Sequence, residues 1–258
     1  MSQLPHWVIL TIMTSIVIGL PIGLYALLTR KQRRATREIR RAAAERGWRY
    51  RVRRWQGNPT AFRIDGRSRS GLAWIATSGS SGTDGSPWTA TLAVRFPSLG
   101  GEMDFALLPR GDRGLSLTQL GQTVSPGMER RVAAFSGAAG SAINFFRDAR
   151  ILPIQAVFDA TYEMLALPQK IQKPPIEPGF TDRVLNWPAD SVRPHSVLAW
   201  RDPFGLHFHA RLPGPPNWAT VAYCLALAEE FCERVPPPEM SPNPPKLADR
   251  FIARILGV

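Results

Sequence analysis

Cysteine is almost missing from this chain: there are two in 258 residues, Cys224 and Cys232. They fall eight positions apart in a segment with helical periodicity, which separates their Cα atoms by about 12 Å, where a disulfide tolerates roughly 7 Å. The pair is expected to stay reduced, which argues against a disulfide-built secreted domain and fits a cytosolic one. Histidine is scarce too, at four residues, and leaves little for acid–base work. No GxSxG, HExxH or Cys–His catalytic spacing occurs. The chain therefore reads as non-enzymatic, with no cofactor called for. A membrane-tethered enzyme or ligand-binding domain of unrecognised type stays open as the alternative, because catalytic residues can be scattered in sequence.

Charge is missing altogether from residues 1–29. Within them, Trp7 to Leu28 (WVILTIMTSIVIGLPIGLYALL) is long enough as a helix, about 33 Å, to cross a ~30 Å hydrocarbon core. A cleaved signal peptide is disfavoured: MSQLPH has no basic n-region, the apolar run is too long, and no small-x-small site follows. The cationic residues that come next, Arg30, Lys31, Arg33 and Arg34, put the N-terminus outside and the remainder in the cytoplasm at the inner membrane. Thr11, Ser15, Gly19 and Gly23 recur every fourth residue, a small-residue face on which another membrane helix can pack. Pro21 frees the carbonyl of Val17 and kinks the span, and lipid does not satisfy a freed carbonyl.

Two things are abundant instead. Proline, at 24 residues, is about twice its usual ~5% share, clustered at 168–178, 203–216 and 236–245. The net charge is +12, yet residues 30–54 alone hold twelve basic and two acidic groups. That makes the basicity a juxtamembrane property, with Arg30, Lys31, Arg33, Arg34 and Arg37 as the residues for anionic headgroups. Residues 30–46 continue as helix, with Arg34–Glu38 and Arg41–Glu45 spaced as ion pairs, a thin stripe of Ala35, Ile39, Ala42 and Ala43, and Gly47 as its stop. The spacing does not decide whether this neck stands upright or lies on the leaflet. Trp48–Arg53 alternates as a strand, aromatics one way and arginines the other. Single-strand binders present the two together, so nucleic acid is not the expected partner.

Further strands are expected at 60–65, 71–77, 88–96 and 102–108, with 78–87 as a hairpin loop that lacks the closing Lys-Ser/Thr of a phosphate cradle. Residues 126–149 read as broken helix, 154–166 as a strand entering a turn, and 181–187 as a short helix. The segments 197–200 and 206–212 read as strands joined through Asp202–Gly205, and 218–235 as a strongly apolar helix. The fold class is α+β: one N-terminal transmembrane helix, then a mainly antiparallel sheet domain with flanking helices. The divisions are 1–29 anchor, 30–47 neck, 48–235 domain, 236–245 proline-rich linker and 246–258 amphipathic helix. In that last helix Leu247, Phe251 and Ile255 share a stripe that packs on the domain, on a partner or on the membrane surface.

Gly47-Trp48-x-Tyr50 after the basic helix, Gly71-x-x-Trp74 on a strand and a later Phe158-x-x-x-Tyr162 give a layout that resembles bacterial single-pass membrane proteins with a cytosolic α+β domain. The resemblance implies the layout and no activity.

Two clusters carry possible chemistry. His207 and His209 share the face of their strand opposite Leu206, Phe208 and Ala210, an outer face on the expected one-sided sheet, where HxH can ligate zinc if His195, Cys224 or Cys232 supplies a third ligand. Glu102 and Asp104 share a strand face that reads as solvated, and no metal site is called. The function expected is an accessory or scaffolding subunit of an inner-membrane complex with protein partners.

Overall fold

The computed structural model describes residues 30, 32–52, 61–80, 90–110, 145, 148–171 and 176–235. The apolar stretch 7–28, with Thr11, Ser15, Gly19 and Gly23, lies outside them, as do Lys31, the loop 81–89, most of 126–149, the linker 236–245 and the C-terminal segment 246–258. Among the described residues no helix is long and apolar enough to cross a membrane.

The first element is helix α1 (32–45). Its stop is written in the sequence: Gly47 adopts φ +68, the Trp48 N–H donates to the Ala43 carbonyl at 2.9 Å, and the Gly47 N–H donates to Ala44 at 3.0 Å. This is a Schellman ending, which only a residue tolerant of positive φ completes. After it come strands β1 (Arg49–Val52), β2 (Phe62–Arg67), β3 (Ala73–Ser80), β4 (Ala90–Phe96) and β5 (Phe105–Pro109). Strand β6 (Arg150–Leu152), the single turn α2 (Ala156–Asp159), β7 (Tyr162–Ala166) and α3 (Pro178–Leu185) follow. The last elements are β8 (Ser196–Asp202), β9 (Gly205–Leu212) and α4 (Trp218–Arg234). Nine strands form one sheet in the order β1-β2-β3-β4-β9-β8-β5-β7-β6, every described pairing antiparallel. The domain is α+β with a large antiparallel sheet and helices.

Most elements lie within two or three residues of their expected positions. One is reversed. Residues 154–166 hold the helical turn first and the strand second, because the ring of Phe158 stacks on Tyr162 at 4.6 Å while Tyr162–Ala166 pairs with β5 on one side and β6 on the other. The β8–β9 hairpin turns through Pro203 and Phe204, with the Phe204 N–H donating to the Asp202 carboxylate at 2.7 Å. Gly205 has φ +152, and a Cβ there would stand 2.8 Å from the Phe96 carbonyl oxygen, so glycine is required on two counts.

The first face of the sheet carries the main core. Phe62, Ile64, Trp74, Leu92, Val94, Leu107, Met164 and Phe208 meet α4 through Val221, Cys224, Leu225, Ala228 and Phe231. Phe231 sits among Phe105, Phe180 and Phe208 at centroid distances of 5.7, 5.6 and 6.2 Å. Both cysteines are free and buried there; burial pushes the Cys224 thiol up and the Cys232 thiol to about 11. Helix α4 is capped by the Asn217 side chain, whose Oδ1 accepts from the Thr220 N–H at 2.8 Å, a contribution of about 1 kcal/mol. Ile39 and Ala43 of α1 belong to this same core, so the basic neck is packed onto the domain and is not a free strut.

The second face is divided. Over β2–β4 it carries Arg63, Asp65, Ile75, Thr77, Thr91, Ala93 and Arg95, none of them buried. Over β8, β5 and β7 it carries a second apolar cluster of Leu198, Trp200, Ala106, Leu108 and Leu165, joined by Met103 and Phe145.

Candidate functional site

Two arrangements of polar side chains stand out, one buried and one exposed. The buried one lies where β8 and β9 meet on the second face. His207 is directly opposite Trp200 and His209 opposite Leu198. The expectation that the two imidazoles share an outer, solvated face is corrected: His207 is 2% exposed and His209 half-buried, because the apolar cluster covers this end of the sheet as well. The His207 ring lies parallel to Trp200 at 4.8 Å, with its Nε2 3.0 Å from Asp202 Oδ1. Trp200 Nε1–H donates to the other Asp202 oxygen at 3.3 Å. His209 meets the edge of Trp200 at 4.4 Å, and burial, then the neighbouring His207, Arg211 and Arg95, hold its pKa well below the ordinary value. His195, Cys224 and Cys232 do not complete a ligand set, and among the described residues no three His, Cys, Asp or Glu side chains could hold a metal ion.

Glu102 and Asp104 are likewise corrected. They precede β5 and part company: Glu102 is exposed and accepts from Lys170 Nζ at 2.8 Å, whereas Asp104 is buried and accepts from Arg201 Nη1 at 2.8 Å. Burial raises the Asp104 pKa and lowers that of Arg201, their mutual attraction opposing both shifts. A buried pair of this kind costs desolvation that the attraction offsets only in good geometry. Its partner is 97 residues away in sequence, which no local pattern reveals.

The exposed arrangement is made of arginines. On α1, Arg30, Arg33, Arg34 and Arg37 from the expected headgroup set are all exposed, as are Arg40 and Arg41, while Ile39, Ala42 and Ala43 point inward. Of the expected helix pairs, Arg41–Glu45 is formed at 2.9 Å between side chains largely in water, worth little at the surface. Tyr50 of β1 turns toward the core beside Phe62 at 6.0 Å, as the alternation suggests; Val52, which the same alternation sends inward, is 61% exposed at the end of the edge strand. Arg49 and Arg51 lie on the second face with Arg63 and Arg67, the only acid among these positions being Asp65, which accepts from Arg63 Nε at 2.7 Å. At the end of α1, Arg46 stacks over the Trp218 ring at 4.7 Å and the Trp48 ring at 5.6 Å, and its Nη1 donates to the Ala42 carbonyl at 3.1 Å. Arg46, Trp48, Arg49, Asp65, Arg67 and Ala73 line an open cleft of about 480 Å³. This end of the neck lies beyond the expected headgroup residues, and its local signal is the run Arg46-Gly47-Trp48-Arg49, which carries two of the three arginines and the tryptophan of the cleft.

No protein-family model and no curated protein matches the chain. Among solved structures, the crystal structure of the mycobacterial trehalose monomycolate transport factor A aligns with a TM-score of 0.40 at 12% identity, over 81% of this chain and 98% of that one. A likeness at that TM-score carries no argument.

Proposed function

We propose that this chain is a non-enzymatic accessory or scaffolding subunit of an inner-membrane complex, held by the 7–28 segment with its domain on the cytoplasmic side. The small-residue face Thr11, Ser15, Gly19 and Gly23 packs on another membrane helix, and the domain covers a partner surface. Arg30, Lys31, Arg33, Arg34 and Arg37 meet anionic headgroups, and no nucleic acid is involved.

The observation that carries this reading is the packing of α1. Ile39 and Ala43 lie in the main core, so the segment that leaves the expected membrane helix is continuous with the domain and transmits a fixed placement to it. The buried polar groups also favour a structural role: His207 is held by Asp202 and Trp200 and Asp104 by Arg201, each inside a packed layer.

The test is crosslinking in native membranes followed by identification of the attached proteins. Reproducible protein neighbours support the subunit reading. A detergent-solubilised native protein that migrates as a monomer with no co-purifying partner contradicts it.

A further inference from the structure

We propose that the cleft between the end of α1 and the β2–β3 edge is a binding site for a phosphate-bearing anion. Three arginines, Arg46, Arg49 and Arg67, line it with one acid, Asp65, and the Asp65 carboxylate is already engaged by Arg63 at 2.7 Å. Two of the three arginines are held in place by the protein itself. Arg46 is fixed by the Trp218 and Trp48 rings and the Ala42 carbonyl, and Arg67 Nη1 donates to the Gly71 carbonyl at 3.3 Å. Among the described residues nothing pairs with Arg49, which is exposed beside them. A guanidinium has five N–H donors in a planar fork, so one internal bond leaves the others for a ligand. Arginines brought together in this way repel one another and are stabilised by an anion that accepts from more than one of them. A carboxylate offers two acceptor oxygens. A phosphate has three or more, and so can accept from more of the arginines that line one cleft.

The phosphate has two possible sources, a lipid headgroup or a soluble phosphoryl compound, and geometry separates them. Arg46 lies sixteen residues beyond Arg30, about 24 Å of helical rise. With α1 upright the cleft is out of reach of the headgroup layer; with α1 along the leaflet it is at the surface. The occupant therefore also reports the posture of the neck.

The experiment titrates inorganic pyrophosphate by calorimetry into the full chain in phosphatidylcholine nanodiscs, and in discs that also contain phosphatidylglycerol. Both arms rest on the membrane anchor of the proposed function; if that reading fails, the chain does not enter discs and the pyrophosphate titration, run on it in solution, still tests the site. The expected result is saturable binding that weakens about tenfold in Arg49→Gln or Arg67→Gln, as loss of a charge-assisted pair predicts. Arg51→Gln, on the same strand face but outside the cleft, should change it less than about twofold, a screening effect only. Competition by phosphatidylglycerol identifies a headgroup and a neck lying along the leaflet; no competition identifies a soluble ligand. No binding, or an equal loss in all three variants, overturns the site. The substituted residues are exposed, so the variants should keep the melting temperature of the parent.

Discussion

The two halves of the one sheet are built differently. Across β2–β4 the strands alternate: β4 reads ATLAVRF, buried at every odd position and half-buried at every even one. Across β5, β7 and β8 the strands are FALLP, YEMLA and SVLAWRD, and almost every residue is buried. The first half has one covered face and one open face; the second is covered on both. Buried-both-sides strands lose the period-2 signal and carry their polar groups inside, and this is where Asp104, Glu163, Arg201, Asp202 and His207 are found. The open half carries the arginines of β1 and β2. Buried polar groups gather in one half and exposed arginines in the other.

The comparison breaks most readily at the shared core. Phe231→Ala should lower unfolding stability by about 3–5 kcal/mol, seen as a lower denaturation midpoint of the detergent-solubilised chain; a loss below about 1 kcal/mol would mean that α4 does not seal the first face. Asp104→Ala leaves Arg201 buried without its carboxylate and should cost about 3 kcal/mol. Asp104→Leu combined with Arg201→Met should recover most of that loss, and a double variant as unstable as the single one would show that the pair holds more than itself.

The third test is pH. His209 has its pKa depressed in the folded state by burial and by His207, Arg211 and Arg95, so between its folded value and the unfolded ~6.5 the unfolded chain binds more protons and stability rises with pH. Stability is fully present above about pH 6.5 and falls as the pH drops. Asp104, raised by burial, acts in the opposite sense, favouring the folded chain as the pH falls from its folded value toward the unfolded ~3.9. His209→Gln should flatten the decline of melting temperature between about pH 6.5 and 5, and an unchanged slope would place the acid sensitivity elsewhere. The smallest effect belongs to the open half: Arg51→Gln should shift stability by no more than about 0.5 kcal/mol, measured in the same denaturation.

Legibility in the sequence follows the same division. The alternating β4, the Gly47 stop and the apolar α4 were plain because their signals are local. The helical turn Ala156–Asp159 ahead of β7 is out of the expected order because YEMLA, buried on both faces, has no period to fix where extension begins. The outer face expected for His207 and the solvated one expected for Asp104 are both covered, and the covers come from residues far away in sequence, such as Phe145 over the second face and Arg201 beside Asp104. The arginine cleft was hidden for another reason. Arg46, Arg49 and Arg67 come from a helix end and two strands, and only the β1–β2 register brings them together.

The membrane contact is the central claim, and site-specific photocrosslinking in native membranes tests it most directly. A probe at Ser15 or Gly19, on the small-residue face of the proposed membrane helix, should give a discrete protein adduct, and a probe at Met13 or Val17, which a helix would place on the opposite side, should not. Equal labelling from all four positions, or lipid adducts alone, would contradict the account.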